Sequence, residues 1–232
     1  MPTTTTWRAR TTESDSWWEQ RLALMAGAID ADFQASVNRI AAGHTGHKPY
    51  PVLVSTIISL RTRDEVTFAA SQRLLAEAPD PYRLHAMPQK RVQELIYPAG
   101  FYRTKAENLK KIAMILLKDH GGQVPNTLEA LTALPGVGRK TANLVLGLGF
   151  AIPAICVDVH VHRIPNRLGW IATKNPEQSE HALTAILPRR FWIPINQLLV
   201  GFGQQICTPQ SPWCSRCPLQ NECPRNGVSR AR

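Results

Sequence analysis

The chain of 232 residues contains no apolar run of about eighteen residues, the length needed to cross a bilayer, so no transmembrane helix is expected. Its first residues, MPTTTTWRAR, lack the apolar core of a secretory signal. Nowhere do apolar and polar residues alternate over a sustained run flanked by hairpin signals, which disfavours a sheet protein. There is no internal repeat, and no low-complexity block interrupts the folded part. Acidic residues are scarce: 17 Asp and Glu stand against 27 Lys and Arg, for a formal net charge of +10. That balance makes a polyanion the leading class of partner, although composition alone does not separate nucleic acid from an acidic membrane surface. A soluble, intracellular protein of the cytoplasm is expected, nucleoid-associated if the source is prokaryotic.

What is present points to helices. With 44% hydrophobic residues, the chain can bury a sizeable core. Residues 1–16 are polar and Thr-rich and are expected to form a flexible arm. From Trp17 to Gly43 the pattern is helical, and GHTGHKP then makes a loop whose histidines have no third ligand nearby. PYPVLVSTIISL and DEVTFAASQRLLAE are two helical stretches separated by the charged break RTRDE. Leu109, Ile112, Ala113, Leu116 and Leu117 recur at helical spacing, with Gly121 as a stop. Asn126 and Glu129 resemble a capping box ahead of TLEALTAL. An all-α fold of many short helices is therefore favoured.

That last helix runs into LPGVGRKTANLVLG. Gly136 and Gly138 permit positive φ and close backbone approach, and the free amides opening the next helix are suited to an anion. Arg139 and Lys140 stand at this helix start, although cations ordinarily favour the C-terminal end of the dipole. Something negative or reactive is expected there.

The five cysteines are unevenly placed: Cys156 alone, then Cys207, Cys214, Cys217 and Cys223, separated by six, two and five residues. An odd total in a reducing compartment argues against a disulfide framework. Four thiolates from one short loop suit a metal centre. Spacing alone leaves zinc and a cubane iron–sulfur cluster both open, although zinc ribbons usually carry two CxxC knuckles rather than one. Prolines 209, 212, 218 and 224 keep the loop out of helix. Arg216, between the central cysteines, is a phosphate contact or a solvated arginine. Cys156, within AIPAICVDV, is expected to be a buried thiol.

LPGVGRKTANLVLGLG, VDVHVHRIPNRLGW and the spaced cysteines, in this order, resemble the endonuclease III family of base-excision-repair DNA glycosylases within the helix-hairpin-helix/GPD superfamily. The resemblance runs from about Trp17 to Pro224. It implies a bilobal all-α fold, with a helical barrel over 44–152 and a cluster lobe formed by 17–43 and 153–232. It also implies a [4Fe-4S] cluster on the four cysteines, a monomer, and a double-stranded DNA substrate carrying damaged bases or abasic sites. The DNA would lie across a cleft with the target base rotated out. Lys140 would be the nucleophile, attacking C1′ of the sugar and forming a Schiff base that leads to β-elimination. Asp158, eighteen residues further on, would stabilise developing positive charge and assist deprotonation, besides being placed to cap the following helix. The amides around Gly136, Val137 and Gly138 would hold a phosphate, with Arg139 in an electrostatic role. His160 and His162 lie two residues apart, on different sides of a helix, and are expected to pack or to support.

The sequence departs from the family pattern at two places. Arg61 stands in ISLRTRD where relatives usually carry glutamine, near the space vacated by the extruded base; a guanidinium there stacks, reaches base edges or binds phosphate. Val159 replaces a threonine beside Asp158, removing a hydroxyl. In GFYRTK, Phe101 occupies the position of an apolar residue inserted into the duplex, with core packing as the rival role. The implied activity is a bifunctional glycosylase and AP lyase on oxidised pyrimidines. The alternatives are a weakly active or non-catalytic iron–sulfur DNA-binding paralogue and a mismatch-specific glycosylase.

Overall fold

The computed structural model describes residues 13–44 and 48–232, with Ser14 near the start of the first stretch. Its hydroxyl accepts from the Trp17 amide and caps α1 (Asp15–Gly27). The arm expected over 1–16 thus falls outside the described residues except at its end, where Asp15 and Ser16 are already helical. The helical pattern expected from Trp17 to Gly43 is broken in two. The Asp30 side chain accepts from the Asp32 amide and its carbonyl from Phe33, so the backbone turns before α2 (Ser36–Gly43).

The chain divides into two compact units, Gln34–Ala154 and a second made of the N-terminal segment through Phe33 with Ile155–Arg232. The 34–154 unit therefore includes α2, whereas the resemblance groups 17–43 with the C-terminal part. The reason is local: the Ser36 hydroxyl donates to Asp64 Oδ1 at 2.6 Å and its amide to Oδ2 at 2.9 Å, joining α2 to the start of a later helix.

Within this unit α3 (Pro49–Ser59) is buried from Pro49 to Ile58 and forms its centre. α4 (Asp64–Glu77), α5 (Pro81–Ala86), α6 (Gln89–Ile96) and α7 (Tyr102–Asp119) follow. Asp80 caps α5, accepting from the Arg83 amide. α7 buries Leu109, Ile112, Ala113 and Leu116, four of the five residues expected from periodicity, while Leu117 is only part-buried, and Gly121 at φ 58° ends the turn beyond it. α8 (Leu128–Thr132) is capped by Thr127, whose hydroxyl accepts from the Ala130 amide. The expected Asn126–Glu129 capping box is thus not formed, because the helix starts one residue later. α9 (Arg139–Leu144) runs into a π-helical turn, Val145–Gly149. A Cβ at Gly149 would lie 2.9 Å from Pro49 Cα, so this glycine permits the turn to press on α3.

The other unit combines α1 with α10 (Val159–Arg167), α11 (Pro176–Ile186) and α12 (Pro194–Gln205). Trp18, Met25, Val161, Ile164, Leu199 and Phe202 are buried at its centre. Trp18 makes edge-to-face contacts with Trp17 at 4.9 Å and Trp170 at 5.0 Å between centroids. Among the described residues there is no strand, and no helix is long and apolar enough to cross a membrane. Leu109 is fully buried in the 34–154 core, so Leu109→Ala is expected to destabilise that unit by about 2–5 kcal/mol, seen as a lowered melting temperature by circular dichroism.

Candidate functional site

The hairpin before α9 is built from a tight turn. The Val137 amide donates to the Leu134 carbonyl at 3.1 Å across Pro135 and Gly136, and Gly136 takes φ 75°. Proline then glycine at the two central positions is the arrangement that turns with positive φ at the second of them favour. A Cβ at Gly136 would come within 2.6 Å of Asn108 Nδ2 on α7. Val137 is buried, anchoring the turn, while Gly136, Gly138, Arg139 and Lys140 are exposed. Gly138 is the N-cap of α9 and offers no side-chain cap, which leaves the helix start open at the surface beside Lys140.

Arg61 and Phe101 come together on the same 34–154 unit. Both have left-handed backbones, at φ 50° and 56°, a conformation that costs a bulky residue about 1–3 kcal/mol each. The Arg61 guanidinium lies 5.6 Å from the centre of the Phe101 ring, which is 63% exposed. That exposure removes core packing as the role of Phe101. The two backbones meet at Gly100, where a Cβ would lie 2.4 Å from the Arg61 carbonyl oxygen.

Between them lies a residue that the sequence reading passed over. Lys105 on α7 is buried, donating to the Ile58 carbonyl at 2.6 Å and the Thr62 hydroxyl at 2.7 Å, and burial pushes its ammonium down to about 8. Its signal was present: it falls in register with Leu109, Ile112 and Leu116, a lysine on the apolar face of its helix.

In the second unit, Asp158 caps α10. Its Oδ1 accepts from the amides of His160 and Val161, each at 2.9 Å. Val159 is 70% exposed, and the cap is complete without the missing hydroxyl. His162 Nδ1 pairs with the Ser179 hydroxyl at 2.6 Å, and His160 Nδ1 lies 3.1 Å from Arg163; both support the helix, as expected. A Cβ at Gly203 would strike His160 Nδ1 at 2.2 Å, so the close approach of α12 to α10 depends on that glycine. Lys140 thus belongs to one unit and Asp158 to the other.

Cys207, Cys214, Cys217 and Cys223 line one cavity walled by Ile164, Leu168, Phe202, Ile206 and Trp213. Burial, reinforced by the other thiols, pushes Cys217 up to about 11, and burial likewise raises Cys223. Four thiols in such a wall become thiolates only with a compensating cationic centre, which is what a soft-metal donor set requires. Among the described residues, no three of His, Cys, Asp and Glu close around a point that would hold a single metal ion. Arg167 secures the loop, donating to the Thr208 and Pro209 carbonyls at 2.7 Å, while Arg163 donates to the Cys207 carbonyl at 2.8 Å. These two arginines, four apart on α10, were also missed in the sequence. Arg216 is exposed with its guanidinium 4.5 Å from the Trp213 ring centre, and Arg232 lies 3.9 Å from the same ring. Cys156 is buried, 3% exposed, in line with a structural thiol.

Asparagine caps a helix as well as aspartate does, whereas alanine costs about 1 kcal/mol. Asp158→Asn is expected to melt with the wild type and Asp158→Ala to melt lower, as read by parallel melting curves.

Residues 54–189 match the family described as HhH-GPD superfamily base excision DNA repair protein. Endonuclease III of Thermotoga maritima is 49% identical over 187 residues, 81% of this chain and 88% of that protein. Endonuclease III homolog 2 of Arabidopsis thaliana, a chloroplastic protein, is 43% identical over 82% of this chain, which spans 53% of its length. A solved structure of a non-covalent endonuclease III–DNA complex superimposes with a TM-score of 0.79 at 31% identity, covering 92% of this chain and 97% of that one. A trapped endonuclease III–DNA covalent intermediate gives 0.78 at 30%, with the same two coverages. A hairpin opening onto an exposed lysine, a capping aspartate eighteen residues on and four cysteines around one cavity accord with these likenesses: the chain belongs to the endonuclease III family of HhH-GPD superfamily base excision DNA repair proteins.

Proposed function

We propose that this protein is a base-excision-repair DNA glycosylase with AP lyase activity, acting on oxidised pyrimidines in duplex DNA. The observation that carries the reading is Lys140, exposed on the first turn of α9 immediately after a turn that requires glycine. Membership of the endonuclease III family supports it, as does the trapped covalent intermediate with DNA formed by a relative of 30% identity.

Lys140 Nζ, as the free amine, attacks C1′ of the damaged nucleotide. The C1′–N bond breaks, its electron pair leaves with the base, and the base takes up a proton. The sugar ring opens as the nitrogen lone pair forms a C1′=N imine. Loss of a 2′ proton then drives out the 3′ phosphate, and water hydrolyses the imine to regenerate the amine. Asp158 stabilises the positive charge developing on the sugar. Its position is set by the two amide hydrogen bonds that make it a cap. The amides of the hairpin and Arg139 bind a backbone phosphate, which positions the duplex without reading its sequence. Arg61 and Phe101 enter the duplex where the base has left; the arginine replaces a glutamine and biases the choice of opposite base toward guanine edges. Arg216, stacked on Trp213, is a further phosphate contact.

Cys207, Cys214, Cys217 and Cys223 hold a [4Fe-4S] cluster. A single CxxC flanked by one further cysteine on each side, without the second knuckle of a zinc ribbon, favours a cubane over tetrahedral zinc. When bound, the cluster supplies four metal–thiolate bonds that close the 207–223 loop. The protein acts as a monomer.

Duplexes carrying an oxidised pyrimidine, a mismatch or an abasic site test the assignment. Wild type is expected to cleave the oxidised and abasic duplexes, and Lys140→Gln to lose at least about 100-fold in strand cleavage. Cleavage confined to mismatched duplexes would refute the substrate class. Purified protein is expected to show the broad visible absorption of an iron–sulfur cluster and Cys217→Ser to lose it; a colourless active wild type would refute the cluster.

A further inference from the structure

Arg61 and Phe101 sit in two separate connections, one between α3 and α4 and the other between α6 and α7, yet they form one exposed feature. Their side chains are not held by packing. Arg61 is exposed and Phe101 is largely so, and both backbones are in the left-handed region, which neither residue type favours. What holds the two connections in register is a junction beneath them. The Thr62 hydroxyl accepts from Lys105 Nζ at 2.7 Å and from the Gly100 amide at 3.1 Å, and donates to the Leu60 carbonyl at 3.3 Å, using its whole hydrogen-bonding capacity. Lys105 also donates to the Ile58 carbonyl at 2.6 Å, at the end of α3. Residues 62 and 100 are the immediate neighbours of Arg61 and Phe101, so this one hydroxyl fixes both.

We infer that Lys105, acting through the Thr62 hydroxyl, is a positioning residue that locks Arg61 and Phe101 into a single preformed wedge, and thereby sets how well the protein opens the duplex. Lys105 is itself buried, 5% exposed, beneath the two connections. The cost of holding two left-handed residues is met before DNA arrives, so the wedge enters without first having to be assembled. An ammonium suits the task better than an apolar side chain because it reaches two acceptors from different segments at once. The inference rests on the assignment of Arg61 and Phe101 to the duplex interior.

The test uses cluster-loaded Lys140→Gln protein, which binds without turnover, and duplexes carrying 2-aminopurine beside a damaged base. Fluorescence reports unstacking, and anisotropy reports affinity for damaged and undamaged duplex. Adding Lys105→Met is expected to leave affinity for undamaged duplex within about twofold, since the phosphate contacts remain, while preference for damaged duplex and the unstacking signal fall about tenfold. Thr62→Val keeps the Lys105–Ile58 bond and removes the junction; it is expected to act in the same direction, and it decides the matter if Lys105→Met does not fold. Arg61→Ala and Phe101→Ala in the same background separate the two levels. If these two reduce unstacking and the junction variants do not, the positioning role is wrong while the wedge stands. If neither changes it, the wedge assignment itself is wrong and the positioning role falls with it.

Discussion

Gly136 supplies a left-handed backbone at φ 75° and leaves room for the Asn108 side chain of α7, and the position of Lys140 follows from the turn it permits. A side chain there would adopt an unfavourable backbone and collide with Asn108. The turn it permits buries Val137, and the buried valine fixes where α9 starts. Lys140 is exposed, with no burial to hold it, and its placement is inherited from the backbone. Gly149 at the far end of the same helical run presses on Pro49 of α3, so the segment carrying the lysine is pinned at both ends by glycines in close approach. An exposed side chain is placed precisely here only because the chain around it is held in place.

Part of the basic character of the protein is structural. Several cations reach backbone carbonyls where helices end. Lys110 on α7 takes the carbonyls of Leu84, His85 and Met87 at the end of α5; Arg73 on α4 takes those of Leu95 and Tyr97 at the end of α6. Lys105 does the same at the end of α3, and Arg163 and Arg167 bind the carbonyls after α12. Terminal carbonyls carry the negative end of the helix dipole and lack intrahelical partners, so a cation from a neighbouring helix satisfies both needs. In a fold of short helices with many ends, this is a recurring solution. These cations have a structural use besides their share of the net charge of +10, and Arg139, Arg216 and Arg232 are among the many that face outward.

The site was legible where it depended on spacing within one segment. The glycine turn, the aspartate before its helix and the cysteine loop each announce themselves in a short stretch, and the structure gives each the local form its residues demand. The break at RTRDE between α3 and α4 was legible for the same reason. What escaped was set by partners distant in sequence. The interruption between α1 and α2 comes from Asp30 turning back on its own backbone, against an unbroken apolar pattern. The membership of α2 is decided by Ser36 meeting Asp64. Thr127 outcompetes Asn126 as a cap by a shift of one residue, which a pattern read in windows does not resolve. Lys105 was hidden because a lysine at a core register reads as an exposed face until its acceptors, 43 and 47 residues away, are known.

The central claim is that Lys140 Nζ forms the covalent bond to C1′. Borohydride reduction of wild-type protein on an abasic duplex, followed by proteolysis and mass spectrometry of the cross-linked peptide, tests it most directly. The account predicts a sugar remnant on Lys140 within LPGVGRKTANLVLG; a remnant on another amine, with Lys140 unmodified, would contradict it.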